Sequence, residues 1–190
     1  MYIFDEVGCG KTISSGLMAI DYLEQYPDKK VLVITVNALV KYKENEDHGA
    51  FLNKWYKKLP FKQLHYDERV LITNNYFSNI QRFSNRQDIG LIIIDEVHLF
   101  LNHETLRYKA FKNIHSQKVV FLTATPIKSS TDDLKKYVQM ARSILQNEKV
   151  VSEDWIDMLK TTEDGELICS KFDMQYPATR CFKGILNHLE

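Results

Sequence analysis

One five-residue stretch combines the groups that hold a phosphate, Gly8-Cys9-Gly10-Lys11-Thr12. Its two glycines let the backbone turn N–H groups inward around anionic oxygens, and the cysteine between them contributes its backbone. The lysine can reach the terminal phosphates of a nucleotide, and the threonine hydroxyl can bind Mg²⁺. The stretch therefore predicts a phosphate-binding loop.

Asp5 stands where the usual G-x-x-x-x-G-K-[ST] pattern has its first glycine, so the alternative is a flexible turn before a helix. Position favours the phosphate loop, because strand-like residues 1–4 precede it and a helical pattern over 12–25 follows it. A helix N-terminus directly after the glycines adds a dipole that attracts anions.

Two carboxylates, Asp95 and Glu96, follow an apolar run further along the chain. Ligands of open α/β sheets bind at the carboxyl ends of the strands, so Asp95 is placed to hold Mg²⁺ across from Thr12. Glu96 can polarise the water that attacks the γ-phosphate. The alternative is that both carboxylates only end the strand and enter solvent, but the phosphate loop upstream favours the catalytic interpretation.

Small hydroxyl residues end another apolar run, at Thr123 and Thr125 before Pro126. We expect them to hydrogen-bond to the segment 95–98, which includes His98, and so to register whether the γ-phosphate is present. The alternative is that threonines simply favour strands and that a proline ends one.

The elements that must position these groups are short runs that are apolar nearly throughout: 31–35, 70–73, 91–95 and 119–123. Such runs are typical of parallel strands covered on both faces, and the segments between them are long enough for crossover helices. Apolar residues at helical spacing over 12–25 and 51–59 support this interpretation. The order predicts a doubly wound α/β layer.

The C-terminal part follows a different pattern. Apolar residues recur at helical spacing over 134–145, and a second helix is expected over 153–160. Residues 161–165 indicate a turn or linker.

Length and composition limit the alternatives. A chain of 190 residues suits one domain with a tail, and its 25 basic and 25 acidic residues mean that any polyanion site must be built locally. Cys9, Cys169 and Cys181 lack the paired spacings of a zinc site or disulfide framework, which favours a reducing, cytoplasmic setting. The longest mostly apolar stretch, 31–40, is too short to span a bilayer, so no membrane partner is expected.

Three segments resemble, in order and spacing, the motifs of a superfamily 2 helicase or translocase of the DEAD/DEAH-like type: 5–12 as motif I, 95–98 as motif II and 122–126 as motif III. The wording of 5–12, and Thr125-Pro126-Ile127 followed by 132–134, is most similar to the SWI/SNF-like branch, whose phosphate loop also opens with Asp-Glu. The resemblance implies a three-layer RecA-like P-loop NTPase lobe with a mostly parallel sheet over 1–140. It leaves 141–190 as a helical extension or the start of a linker.

The resemblance also implies an activity, ATP hydrolysis with Mg²⁺ that depends on nucleic acid, DNA rather than RNA. Lys11, Asp95 and Glu96 are then the catalytic residues. By family analogy Asn37 in motif Ia, and Thr73 and Asn74 in motif Ib, contact the nucleic-acid backbone. The family places ATP between two RecA-like lobes, so we expect a fragment that needs a second lobe, in cis or in trans, and that is weakly active or inactive alone.

Two other functions stay open from the sequence. One is a non-catalytic nucleotide-binding or assembly module that keeps the lobe without turnover. The other is the motor part of a restriction or phage-defence system, which uses the same lobe.

A basic–aromatic cluster, Lys54-Trp55-Tyr56-Lys57-Lys58 with Phe61 and Lys62, has two interpretations. Such a mixture can bind single strands by stacking and charge. The alternative, which we favour, is an amphipathic helix that buries Trp55 and exposes its lysines.

Overall fold

The computed structural model describes residues 2–4, 8–40, 51, 52, 55, 68–102, 104–125 and 132–146, and three short strands within 159–176. Five strands form the main sheet: β1 Tyr2–Phe4, β2 Lys30–Thr35, β3 Val70–Asn74, β4 Ile89–Asp95 and β5 Lys118–Thr123. Their order is β1-β5-β4-β2-β3, and every neighbouring pair is parallel.

Helices connect the strands, as parallel pairing requires. The connecting helices are α1 Lys11–Gln25, α2 Asn37–Val40, α3 Phe77–Gln81 and α4 Leu106–Ala110, and α5 Asp132–Leu145 follows β5. Short 3₁₀ turns cover Val97–Phe100 and Phe111–Asn113. Phe51, Leu52 and Trp55 are also helical, and the rest of the predicted helix 51–59 lies outside the described residues.

The sheet is covered on both faces, which is why its strands are aliphatic nearly throughout. All seven residues of β4 are buried. Ile92 and Ile94 belong to a core shared with α3, α4 and α5, whereas Leu91 and Ile93 belong to a second core with α1 and Trp55. The three-layer α/β architecture predicted from the sequence is confirmed.

Strand register brings the site to one edge. Phe4, the last residue of β1, pairs with Thr123, and Asp95, the last residue of β4, pairs with Leu122. On the other side of β4, Ile34 pairs with Ile94. Because all five strands are parallel, the segments that follow them meet at the same edge of the sheet.

The predicted main-sheet strands and the helices over 12–25 and 134–145 are confirmed, with shifts of a few residues at their ends. The helical core does not stop at residue 140, since α5 continues to Leu145 and buries Ala141 and Ile144 beside Leu134.

The expected helical C-terminal extension is wrong for the residues described after Gln146. These form an antiparallel sheet of β6 Leu159–Thr161, β7 Leu167–Cys169 and β8 Met174–Tyr176. Leu159 and Lys160, predicted to end a helix, lie in β6. Thr161 of β6 pairs with Leu167 of β7, and a short apolar segment such as 159–161 fits a strand as well as the end of a helix.

Candidate nucleotide-binding site

The phosphate loop depends on two glycines with left-handed backbone angles. Gly8 has φ 90° and Gly10 has φ 89°, and the Gly10 carbonyl accepts hydrogen bonds from Ile13 and Ser14 to start α1. A Cβ at either glycine would meet no atom within 4 Å, so it is the backbone angle that requires glycine. α1 has no side-chain cap and no acidic residue in its first turn, so its N-terminal N–H groups suit an anion.

Trp55 contacts the last residue of this loop through a hydrogen bond. Its side chain is fully buried, and its indole Nε1–H donates a hydrogen bond to the carbonyl oxygen of Thr12, which also accepts from the Ser15 hydroxyl at 2.8 Å. A buried indole cannot stack on a nucleic-acid base, so the single-strand interpretation is wrong for Trp55. The other residues of the basic–aromatic cluster lie outside the described residues.

Asp95 is held inside the protein and does not enter solvent. Its residue is 7% exposed, and its Oδ2 accepts a hydrogen bond of 2.8 Å from the hydroxyl of Thr35, which is fully buried at the end of β2. The alternative in which Asp95 only ends a strand in solvent is therefore wrong.

Glu96 leaves the strand in a backbone conformation that few non-glycine residues adopt, with φ 51° and ψ 45°. Its Oε2 lies 3.2 Å from His98 Nδ1. The hydrogen bond with His98 is the largest cause of a lowered Glu96 pKa; the Lys11 charge also lowers it, while burial acts in the opposite direction. The lowered pKa means that Glu96 stays ionised to a lower pH than a free glutamate does.

His98 connects two strand ends. Its Nδ1 lies 2.8 Å from the Thr123 hydroxyl, and that same hydroxyl accepts a hydrogen bond of 3.1 Å from the backbone N–H of Thr125. Of the two expected partners of the segment 95–98, Thr123 is in hydrogen-bond distance of His98, and Thr125 bonds to Thr123. Thr125 joins it through its backbone amide, while its residue is exposed.

The groups predicted to bind Mg-ATP thus share one edge of the sheet. The loop Gly8–Thr12 follows β1, and Asp95 and Glu96 stand at the end of β4. Thr123 ends β5, the strand that lies between β1 and β4 in the sheet. The charge of Lys11 reaches Glu96. An uncapped helix N-terminus, a lysine and a buried carboxylate at one edge fit a magnesium nucleotide.

The three residues predicted to contact nucleic acid lie at the same edge, beyond β4. Thr73 is buried, with 7% exposure, so its hydroxyl offers little surface. The Asn74 side chain makes three hydrogen bonds. Its Nδ2 donates to Asn37 Oδ1 at 3.0 Å, and its Oδ1 accepts from the Tyr76 N–H and from Asn79 Nδ2. Asn37 and Asn74 are thus brought together.

The sequence did not predict three hydrogen bonds at this edge of the sheet. The bond from Thr35 to Asp95 has only a weak signal in the sequence, because a polar residue ends several of the aliphatic strands, among them β2, β4 and β5. The bond from Trp55 to the phosphate loop and the amide of Asn79 had no local signal.

No helix among the described residues is both long enough and apolar enough to cross a membrane.

A parallel sheet with a glycine–lysine loop after β1 and a carboxylate pair at the end of β4, together with the family match and the helicase relatives given next, defines a class: the first RecA-like lobe of a superfamily 2 helicase-type ATPase. The chain belongs to the family "ResIII: Type III restriction enzyme, res subunit", whose model matches residues 1–128.

Similar proteins are much longer than this chain. The ATP-dependent helicase YqhH of Bacillus subtilis is 28% identical over 143 residues, which are 73% of this chain and 25% of YqhH. The killer plasmid pGKL-2 helicase of Kluyveromyces lactis is 29% identical over 161 residues, 80% of this chain and 25% of that protein. The "DNA repair and recombination protein RAD54-like" of Drosophila virilis is 24% identical over a region that covers 74% of this chain and 20% of that protein's length. The chain therefore spans about a quarter or less of their length.

Solved structures share the fold as well. The Sulfolobus solfataricus SWI2/SNF2 ATPase core in complex with dsDNA superposes with a TM-score of 0.59 at 20% sequence identity. The match covers 99% of this chain and 38% of that one.

Proposed function

We propose that this lobe binds Mg-ATP and hydrolyses it as the motor of a nucleic-acid-dependent translocase or helicase. The observation that carries the proposal is the meeting of the phosphate loop with Asp95 and Glu96 at one sheet edge, where the Lys11 charge acts on Glu96.

Lys11 would bind the β- and γ-phosphates, with the backbone N–H groups of residues 8–12 around them. The Thr12 hydroxyl and the Asp95 carboxylate would hold Mg²⁺. The metal ion supplies positive charge that offsets the negative charge on the phosphoryl oxygens.

Glu96 would accept the proton of the water whose oxygen attacks the γ-phosphorus, as the bond to the ADP oxygen breaks. Its position supports this role, because it directly follows Asp95 at the end of β4 and its carboxylate is ionised at neutral pH. His98 and Thr123 would couple the state of Glu96 to the end of β5, through the contact at 2.8 Å.

Asn37 and Asn74 would contact the nucleic-acid backbone at the neighbouring strand ends. We propose DNA as the partner, supported by the dsDNA in the solved SWI2/SNF2 complex and by the RAD54-like relative, although a similar ascovirus protein is named a putative RNA helicase. A second RecA-like lobe, in cis or in trans, would complete the ATP site.

The test is ATP hydrolysis by the purified chain, alone and with double-stranded DNA or single-stranded RNA, against Glu96→Gln. Glu96→Gln should abolish turnover yet keep nucleotide binding, whereas Lys11→Ala should lose binding itself. Glu104→Gln, an exposed glutamate outside the site, is the matched control. Turnover above background that is equal in Glu96→Gln and the unchanged chain would refute catalysis by Glu96 and favour the non-catalytic binding or assembly module.

A second candidate is the motor of a restriction or phage-defence system, favoured by the matching family model. The native complex purified from its source would then cleave unmodified phage DNA in an ATP-dependent manner. Turnover and movement on DNA without cleavage would exclude this candidate.

A further inference from the structure

Thr35 and Asp95 end neighbouring strands at the same level. Ile34 pairs with Ile94, so Thr35 of β2 and Asp95 of β4 are the next residues on each strand. The Thr35 hydroxyl donates to Asp95 Oδ2 at 2.8 Å, and Thr35 is fully buried.

The hydroxyl at position 35 is not required by the strand. The four residues before it, Val31 to Ile34, are aliphatic and fully buried, and a valine would have the same shape as threonine there. What a valine would lose is the hydrogen bond to a buried carboxylate. Hydrogen bonds to charged groups are the stronger ones in proteins, so this bond fixes one oxygen of Asp95.

We propose, building on the proposed function, that Thr35 is a positioning residue that orients Asp95 for the magnesium ion. A β-branched side chain on a buried strand has few rotamers, so its hydroxyl lies at a defined point. Partners that orient metal-binding side chains typically contribute about 10- to 100-fold to metal affinity. Loss of the hydroxyl should therefore weaken cation binding more than nucleotide binding without the cation.

The experiment compares the unchanged chain with Thr35→Val and Thr35→Ser. Binding of a fluorescent ADP analogue is titrated with MgCl₂, and bound Mn²⁺ is counted by electron paramagnetic resonance in the presence of ADP. Thr35→Val should need about 10- to 100-fold more cation for the same binding. Thr35→Ser, which keeps the hydroxyl, should bind with the same dependence on cation concentration as the unchanged chain.

Controls separate positioning from folding. Ile34→Val changes the adjacent buried residue without touching Asp95, and should lower the unfolding temperature while leaving the cation dependence unchanged. In an Asp95→Asn background, Thr35→Val should add no further loss of cation affinity. If Thr35→Val does not fold, Thr35→Ala provides the same comparison.

The outcomes are distinct. An unchanged chain that binds no nucleotide would refute the proposed function and with it this role of Thr35. Nucleotide binding by the unchanged chain, with the same cation dependence in Thr35→Val, would overturn the positioning role alone.

Discussion

His98 Nδ1 lies 2.8 Å from Thr123 Oγ1. This contact joins the segment after β4, which carries Glu96, to the end of β5, and β5 lies between β4 and the strand that precedes the phosphate loop. Thr123→Val keeps the shape of the side chain and removes this bond. We expect it to reduce the stimulation of ATP hydrolysis by DNA, by about 0.5–2 kcal/mol of coupling free energy. Thr123→Ser, which keeps the hydroxyl, should restore the stimulation by DNA. The measurement is the ratio of DNA-stimulated to basal ATP turnover. An unchanged ratio in Thr123→Val would remove Thr123 from the coupling path.

In the proposed mechanism, His98 sets the pH range in which Glu96 acts as the base. Removing it in His98→Ala removes the largest cause of the lowered Glu96 pKa, so burial raises that pKa. Glu96 is a base only above its pKa, and the acidic limb of kcat against pH should therefore move to higher pH. Thr123→Val, which keeps His98, is the control and should not move the limb. A limb that stays in place in His98→Ala would contradict the assignment of Glu96 as the base.

The indole of Trp55 has two separable roles, packing and the bond to Thr12. Trp55→Phe keeps most of the ring and loses the N–H, so nucleotide affinity should fall by about 0.5–1.5 kcal/mol, the contribution of one hydrogen bond. Trp55→Ala also opens a cavity and should cost about 3–5 kcal/mol of unfolding free energy. The readouts are nucleotide titration and urea unfolding.

Phe51 provides the control for Trp55, because its ring lies 5.5 Å from that of Trp55. Phe51→Leu should lower stability without lowering nucleotide affinity. Equal nucleotide affinity in Trp55→Phe and the unchanged chain would show that the indole acts by packing alone.

Gly90 makes room for Tyr22 at the edge of the sheet opposite the site. A Cβ there would overlap the Tyr22 hydroxyl oxygen, which donates to Gln117 Oε1 at 2.8 Å. Gly90→Ala should therefore cost about 1–3 kcal/mol of unfolding free energy in urea titration. Tyr22→Phe removes the clashing oxygen, so the double variant should lose less than the sum of the single losses. Strict additivity would contradict this explanation.

Asn37 and Asn74 should differ in their effects. Asn74 organises three neighbours, so Asn74→Ala should reduce both stability and DNA affinity, whereas Asn37→Ala should mainly reduce DNA affinity. Because amides carry no charge, the slope of log affinity against log salt should stay the same in Asn37→Ala. Fluorescence anisotropy at several salt concentrations measures the DNA affinity and its salt dependence. Asn113→Ala, at an exposed position, is the control. Unchanged affinity in Asn37→Ala would remove it from the interface.

The sequence by itself determined the elements whose signal is local. Runs such as 31–35 and 91–95 are aliphatic nearly throughout because both faces of the sheet are covered, and they predict buried parallel strands. Gly8 and Gly10 mark the loop because their backbone angles require glycine. The pattern failed after Gln146, where a short apolar segment fits a helix or a strand equally well.

Only the tertiary structure decided which side chains meet. Thr35 and Asp95 are 60 residues apart in the chain, and Trp55 and Thr12 are 43 apart. Each pair meets because the strand order, the register and the packing of a helix on the sheet bring its two segments together. Those features depend on the whole core, not on the neighbours of any one residue, so local patterns predicted the reacting groups but not the residues that hold them in place.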